Sequence, residues 1–250
     1  MALEESDAQA VRAWLVEEGF EPGDLRSFKT FKDKWTFYHD FVQPLGRACM
    51  KGELEICKGL YKLGAVEGIP LSKIYDTSCM WHCCRNGHLP VCKWLFEVGA
   101  SNKDISRPEN NCETPMYQAC KGGHLSVCKW LFEVGAAEDI SRACEEGYTP
   151  MHMACCGGHV SICEWLVEVA LPTQIPLCSE VNQVDDWTPM HYACNDGHLS
   201  LCKWLYDMGA DGDISSANDD GDTPLHLACT YANLAVCKWL FEVGLSLIHI

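Results

Sequence analysis

Six pairs of cysteines stand eight residues apart: Cys49/Cys57, Cys84/Cys92, Cys120/Cys128, Cys155/Cys163, Cys194/Cys202 and Cys229/Cys237. Histidines follow a glycine at His88, His124, His159 and His198, between the members of four pairs. A thiol activated by an imidazole is the arrangement of a nucleophilic cysteine and its base. Paired thiols also suggest zinc or a disulfide. The pattern argues against each. Zinc modules place paired ligands two to four residues apart, not eight. Catalysis needs a single organised pocket, whereas this arrangement recurs with no unique carboxylate to orient the histidine. A spacing of eight places one thiol on each helix of a hairpin, where cysteine behaves as a small apolar core residue.

The elements that hold these residues repeat. Gly52-Glu53, Gly87-His88, Gly123-His124, Gly158-His159, Gly197-His198 and the variant Ala232-Asn233 mark steps of 35, 36, 35, 39 and 35 residues. Such a sustained period belongs to a stacked helical repeat. Within a unit, Thr-Pro opens a short first helix, with threonine as N-cap and proline in the first turn. That helix runs through His-x-Ala-Cys and stops near the glycine. Leu-x-Val-Cys-x-Trp-Leu then predicts a second helix buried over most of its surface. The glycine of Glu-Val-Gly ends it in a left-handed turn. Asp, Asn and Gly residues form a projecting turn leading to the next Thr-Pro.

Thr-Pro-Met/Leu-His-x-Ala-Cys, Gly-His-Leu/Val and Gly-Ala at this spacing resemble ankyrin repeats over residues 44–244. The resemblance implies an all-α solenoid of about six helix-turn-helix repeats with short projecting hairpin loops. Its motif histidine, held by His152, His191 and His226, is expected to fix the local turn by hydrogen bonds. Trp81 and Tyr117 replace it in two repeats and Gly46 in the first; Gln43-Pro44 and Ser78-Cys79 stand where Thr-Pro is expected. The early repeats are therefore expected to be less regular. Glu168-Val169-Ala170 lacks the closing glycine, which predicts a longer loop near 170–185 containing Pro172 and Pro176.

Residues 8–19 repeat the pattern of a second helix through Val11, Trp14, Leu15 and Gly19, and read as a half-repeat capping the array. Residues 21–43 interleave Arg26, Lys29, Lys32 and Lys34 with six aromatic rings. Such a stretch suits single-stranded nucleic acid or phosphate, but in this acidic chain ring packing beside solvated lysines is the stronger reading. The domain expectation is thus a lead-in over 1–43, an array over 44–244 and an atypical tail over 245–250. That tail, Leu-Ser-Leu-Ile-His-Ile, is apolar where a solenoid requires a polar terminal face, which reads as a truncated end.

Lys and Arg total 19 against 35 Asp and Glu, a formal charge of −16. That charge disfavours nucleic acid and anionic membrane as partners and favours a protein with a basic face. No run of apolar residues is long enough for a membrane span. The acidic start Met1–Asp7 is no secretory signal, so the 18 cysteines point to a reducing compartment, cytoplasmic or nuclear. Asn218–Asp222 superficially resembles a calcium loop, but its glycine is out of place and a solvated turn is the better reading. Trp94, Trp130, Trp165, Trp204 and Trp239 recur once per repeat and are expected to pack as a ladder.

The resemblance places a binding face on turn tips and first-helix ends. Mapped here, it comprises Asn111, Glu113 and Lys121, then Glu146, Tyr148 and Met153. It continues through Asp186, Trp187, Tyr192, Asn195 and Asp196, and ends with Asp220, Asp222, Thr230 and Tyr231. Trp187 and Tyr192 are the expected anchors, since aromatic side chains dominate hot spots. The expectation is a monomeric scaffold or adaptor without catalysis, metal or cofactor. The alternative is the regulatory or substrate-targeting segment of a larger enzyme such as a ligase or kinase. A thiol- or metal-dependent enzyme is the third reading.

Overall fold

A computed structural model describes residues 5–20, 44–66, 78–98, 105–108, 113–170 and 186–248. The stretch 21–43, Asn111 and residues 171–185, where the longer loop is expected, lie outside the described residues. The chain divides into two compact units, Met1–Asp104 and Ile105–Ile250.

In the first unit, α1 (Glu5–Glu17) is followed by α2 (Pro44–Lys51), α3 (Leu54–Val66), α4 (Ser78–Arg85) and α5 (Leu89–Val98). Helix α1 packs on α3, burying Val11, Trp14 and Leu15. Gly59 stands where the later repeats carry tryptophan. A Cβ at Gly59 would lie 2.3 Å from Val11 Cγ2, so the missing side chain is what lets α1 approach. Glu18 seals the edge by ion pairs with Lys51 and with Arg47 at 3.4 Å, and the Arg47 guanidinium lies over the Phe20 ring.

The second unit contains α6 (Pro115–Gly122), α7 (Leu125–Glu133), α8 (Pro150–Cys156), α9 (Val160–Ala170), α10 (Pro189–Asn195), α11 (Leu199–Asp207), α12 (Pro224–Thr230) and α13 (Leu234–Ile248). First helices pack on first helices, α6 on α8 on α10 on α12, and second helices likewise, α7 on α9 on α11 on α13. The described residues are all-α repeats, as the resemblance implies.

Successive repeats are locked by the Gly-His step. The Nε2 of His88, His159 and His198 donates to the backbone carbonyls of Met50, Lys121 and Cys156 at 2.9, 3.3 and 2.9 Å. Asn233 does the same for Cys194 and Asn195 at 3.0 and 2.7 Å. Each bond satisfies carbonyls left open at the end of the preceding first helix. The paired glycines have left-handed φ, +81° at Gly123 and +69° at Gly158. A Cβ at Gly123 would fall 2.5 Å from the His159 ring. Only glycine suits both the conformation and the approach.

The tryptophan column packs as expected, with Trp94, Trp130, Trp165 and Trp239 buried. Its rule is an edge-to-face contact with the aromatic ring two residues past the tryptophan position of the preceding repeat. Tyr61–Trp94, Phe132–Trp165 and Tyr206–Trp239 all have centroids 5.8 Å apart, the offset that ring quadrupoles favour. Before Trp204 the matching residue is Val167, and Trp204 alone of the five is half-exposed.

Helix ends differ from expectation in the first repeat, where α3 runs through Gly64 to Val66, and in the last. Gly135 and Gly209, at φ +122° and +99°, terminate α7 and α11. Helix α13 instead runs through Gly244 to Ile248. A glycine costs only about 1 kcal/mol inside a helix, and Leu-Ser-Leu-Ile after Gly244 supplies no turn residue to stop it. Between repeats, the expected polar turns contain short 3-10 helices at Ala137–Ile140 and Gly212–Ser215. They are followed by tight turns closed by Cys144 N–H to Tyr148 C=O at 2.9 Å and Asn218 N–H to Asp222 C=O at 3.0 Å.

Candidate functional site

The starts of the first helices are held by reciprocal caps. The backbone N–H of Thr149 and of Thr188 donates to Nδ1 of His152 and His191, each at 3.1 Å. Thr223 and His226 repeat the contact at 3.1 Å. Nδ1 therefore accepts and the ring proton sits on Nε2. In His191 that proton is offered to the carbonyls of Ser216 at 3.1 Å and Asp222 at 3.3 Å. The motif histidine thus ties its own helix to the following turn.

On this frame stands a cluster of rings. Trp187 packs against Tyr192 at 4.9 Å and beside His191 at 6.1 Å. Tyr192 meets Tyr148 edge-on at 6.1 Å and His152 at 5.9 Å. Tyr117, Cys144 and Met153 form a buried group beneath Tyr148, and burial pushes the Tyr117 hydroxyl well above its ordinary value.

Carboxylates flank the rings. Asp186 adopts φ +54°, unusual for a residue other than glycine. It lies beside Asp219, whose carboxyl is pushed up mainly by a hydrogen bond with Asp186 and by the repulsion between the two charges. Asp220 is exposed and Asp222 half-exposed. The Asn218 side-chain oxygen, which a calcium loop would aim at an ion, accepts from the Asp222 N–H at 2.7 Å.

The expected face is only partly available to a partner. Lys121, Glu146, Asp186, Asp196, Asp220, Thr230 and Tyr231 are exposed, and Glu113, Tyr148, Trp187, Asn195 and Asp222 are half-exposed. Met153 and Tyr192 retain only 6% and 9% of their surface, so they support the neighbouring rings. Glu113 accepts from Gln118 at 2.7 Å, Asn195 donates to Asp196 at 2.9 Å, and the Thr230 hydroxyl donates to the His226 carbonyl at 2.9 Å. Burial, then Asp196, pushes the half-buried Cys156 thiol up to about 11.

The six thiol pairs close across each helical hairpin with Sγ–Sγ distances of 3.5–3.9 Å. Hydrogen bonding with the paired sulfur, and then burial, holds Cys49, Cys120, Cys155 and Cys194 well above ordinary thiol values. The histidines between the pairs that were candidates for a base are engaged elsewhere: Nε2 of His88, His159 and His198 is bonded to a backbone carbonyl. The second repeat differs in adding Cys83, whose Sγ is 2.9 Å from Cys92.

Two features escaped the sequence reading. Asp-Ile-Ser recurs at 104–106, 139–141 and 213–215, a signal for the 3-10 turns. Asp139 is 2% exposed there, and burial raises it against an ion pair with Arg142 at 3.6 Å. Burial, then Asp211, raises Asp213 to about 6.

The family model described as ankyrin repeats (3 copies) matches residues 80–176 and again 170–248. The chain belongs to the ankyrin repeat family. Among curated proteins none matches it. Ankyrin repeats are generally protein–protein interaction modules. The ankyrin frame accounts for the recurrent Thr, Pro, His and Gly, and leaves Trp187 and the acidic tips unexplained by stacking. No helix among the described residues is long and apolar enough to cross a membrane.

Proposed function

We propose that this ankyrin repeat protein is a scaffold or adaptor without catalysis of its own, which binds a partner protein with a basic face. The partner lies across the turn tips and first-helix starts of α8, α10 and α12. One observation carries the reading: the half-exposed Trp187 ring is braced on buried Tyr192 and flanked by Asp186 and the Asp219–Asp220 tip. A rigid aromatic anchor with charges at its rim is the composition of a hot spot, the ring giving affinity and the rim speeding encounter. Tyr148 extends the apolar contact. Lys121, Glu146, Asp196 and Tyr231 lie at its margins. Action as a monomer in the cytoplasm or nucleus completes the proposal.

The test pairs captured partners with titration. Binding should weaken as salt rises, because exposed charges are screened beyond about 10 Å at 0.1 M salt. Trp187→Ala should lower affinity by at least roughly tenfold, as for a hot-spot residue. Salt-independent binding that survives Trp187→Ala would overturn the mapping.

A further inference from the structure

The residue before the motif cysteine is alanine in five repeats, Ala48, Ala119, Ala154, Ala193 and Ala228, each with no exposed surface. In the second repeat it is Cys83, equally buried. Cys79 likewise takes a position that is proline in the other five, at Pro44, Pro115, Pro150, Pro189 and Pro224. One hairpin therefore carries thiols where its siblings carry frame residues. Cys83, Cys84 and Cys92 bring their sulfurs within 4.8 Å of one another. Cys84 and Cys92 are 3.7 Å apart, and Cys83 and Cys92 2.9 Å.

We propose that Cys83, Cys84 and Cys92 form a buried trithiolate site for monovalent copper. Thiolate sulfur is soft and selects Cu(I), zinc or iron–sulfur clusters over hard ions. An ion about 2.3 Å from three coplanar sulfurs holds them about 4 Å apart. Cys84 and Cys92 already stand near that separation, and Cys83 needs to withdraw from Cys92 by roughly 1 Å. The backbone framing the site is fixed: His88 N–H donates to the Cys83 carbonyl at 2.9 Å and Cys92 N–H to the His88 carbonyl at 3.0 Å. Structural zinc takes four ligands. Among the described residues no fourth cysteine, histidine or carboxylate joins this group, which favours a three-coordinate ion. All three side chains have no exposed surface, so water does not compete for the ion. Each thiol that ligates releases its proton to solvent, and the copper enters and remains as Cu(I), so no electron is transferred.

The test uses the full chain, reduced and anaerobic, titrated with Cu(I) supplied as its complex with the chromophoric chelator bicinchoninate. The wild type should withdraw one equivalent that Cys83→Ala leaves with the chelator, a loss of affinity greater than about tenfold. Alanine is the residue of the five sibling positions, so this variant should keep its helical content, checked by circular dichroism. X-ray absorption should show that copper bound to three sulfurs. Ala154→Cys, which adds a third thiol to the Cys155/Cys163 pair, should gain one equivalent. The proposal is overturned if Cys83→Ala retains as much copper as the wild type, or if the wild type leaves all of it with the chelator. It also fails if Ala154→Cys gains nothing, or if zinc is held while Cu(I) is refused.

Discussion

The second and fifth repeats build the same hairpin by different means. In the fifth, Thr188-Pro-Met-His191 forms a complete capping box, and His191 reaches onward to the Ser216 and Asp222 carbonyls. In the second, Trp81 stands in place of that histidine, with its indole N–H buried without a partner and Arg85 over its ring at 5.2 Å. Yet Met80 and Met190 occupy the same position with no exposed surface, as do Leu95 and Leu205. The apolar frame alone therefore suffices to form a repeat, and the polar cap refines it. Where the cap is complete, His191 stands beside Trp187 and holds the following turn, which carries Asp219 and Asp220. Where it is lost, Ser78 and Trp81 hold the cap positions, and thiols stand at the neighbouring proline and alanine positions, Cys79 and Cys83.

The sharpest way to break this comparison is through the shared frame. Met80→Ala and Met190→Ala should each destabilise by about 2–5 kcal/mol, the range for emptying a buried methionine site. Denaturant unfolding monitored by circular dichroism measures both. If Met80→Ala costs less than half as much as Met190→Ala, the second repeat is not packed like the fifth and the comparison fails. The next effect is in the caps. His191→Ala leaves the Thr188 N–H and the Ser216 and Asp222 carbonyls without a partner they now share, and should cost about 1–3 kcal/mol. Trp81→Phe removes an N–H that has no acceptor and should change stability by less than about 1 kcal/mol. Equal losses at the two positions would mean that the histidine is no more than filler.

Much of this was legible in the sequence because stacked repeats encode their contacts several times over. The thiol spacing, the Gly-His step and the tryptophan ladder each recur, so a reading could be checked against its copies. Features that occur once, or that depend on the neighbouring repeat, were not legible. Whether Tyr192 is an anchor or a support depends on Tyr148 and His152 of the repeat before it, and burial at 9% results from those rings. The run of α13 through Gly244 depends on the residues after the glycine rather than on the glycine itself. Cys83 was visible as a cysteine, but its meaning lies in the alanine of its five siblings.

The smallest expected effect concerns the two 3-10 turns, where Asp139 and Asp213 hold equivalent places. Asp213 has a folded pKa of about 6 against an ordinary 3.8, raised by burial and then by Asp211, and one of its oxygens is buried without a hydrogen-bond partner. A carboxyl whose folded pKa is raised binds its proton more tightly in the folded state. Stability therefore falls as pH rises from about 4 through about 6 and is not recovered above that. Asp213→Asn removes the charge that burial disfavours, so it should raise the melting temperature at pH 7, with the gain shrinking to nothing near pH 4. Asp139 is also raised by burial, but a hydrogen bond from Ser106 and the charge of Arg142 act in the opposite sense. Asp139→Asn should accordingly stabilise less, because it discards a partner that Asp213 does not have. Melting curves of both variants from pH 4 to 8 decide the matter. A gain at Asp213→Asn that grew as pH fell, or that was smaller than at Asp139→Asn, would show that burial does not govern these carboxyls.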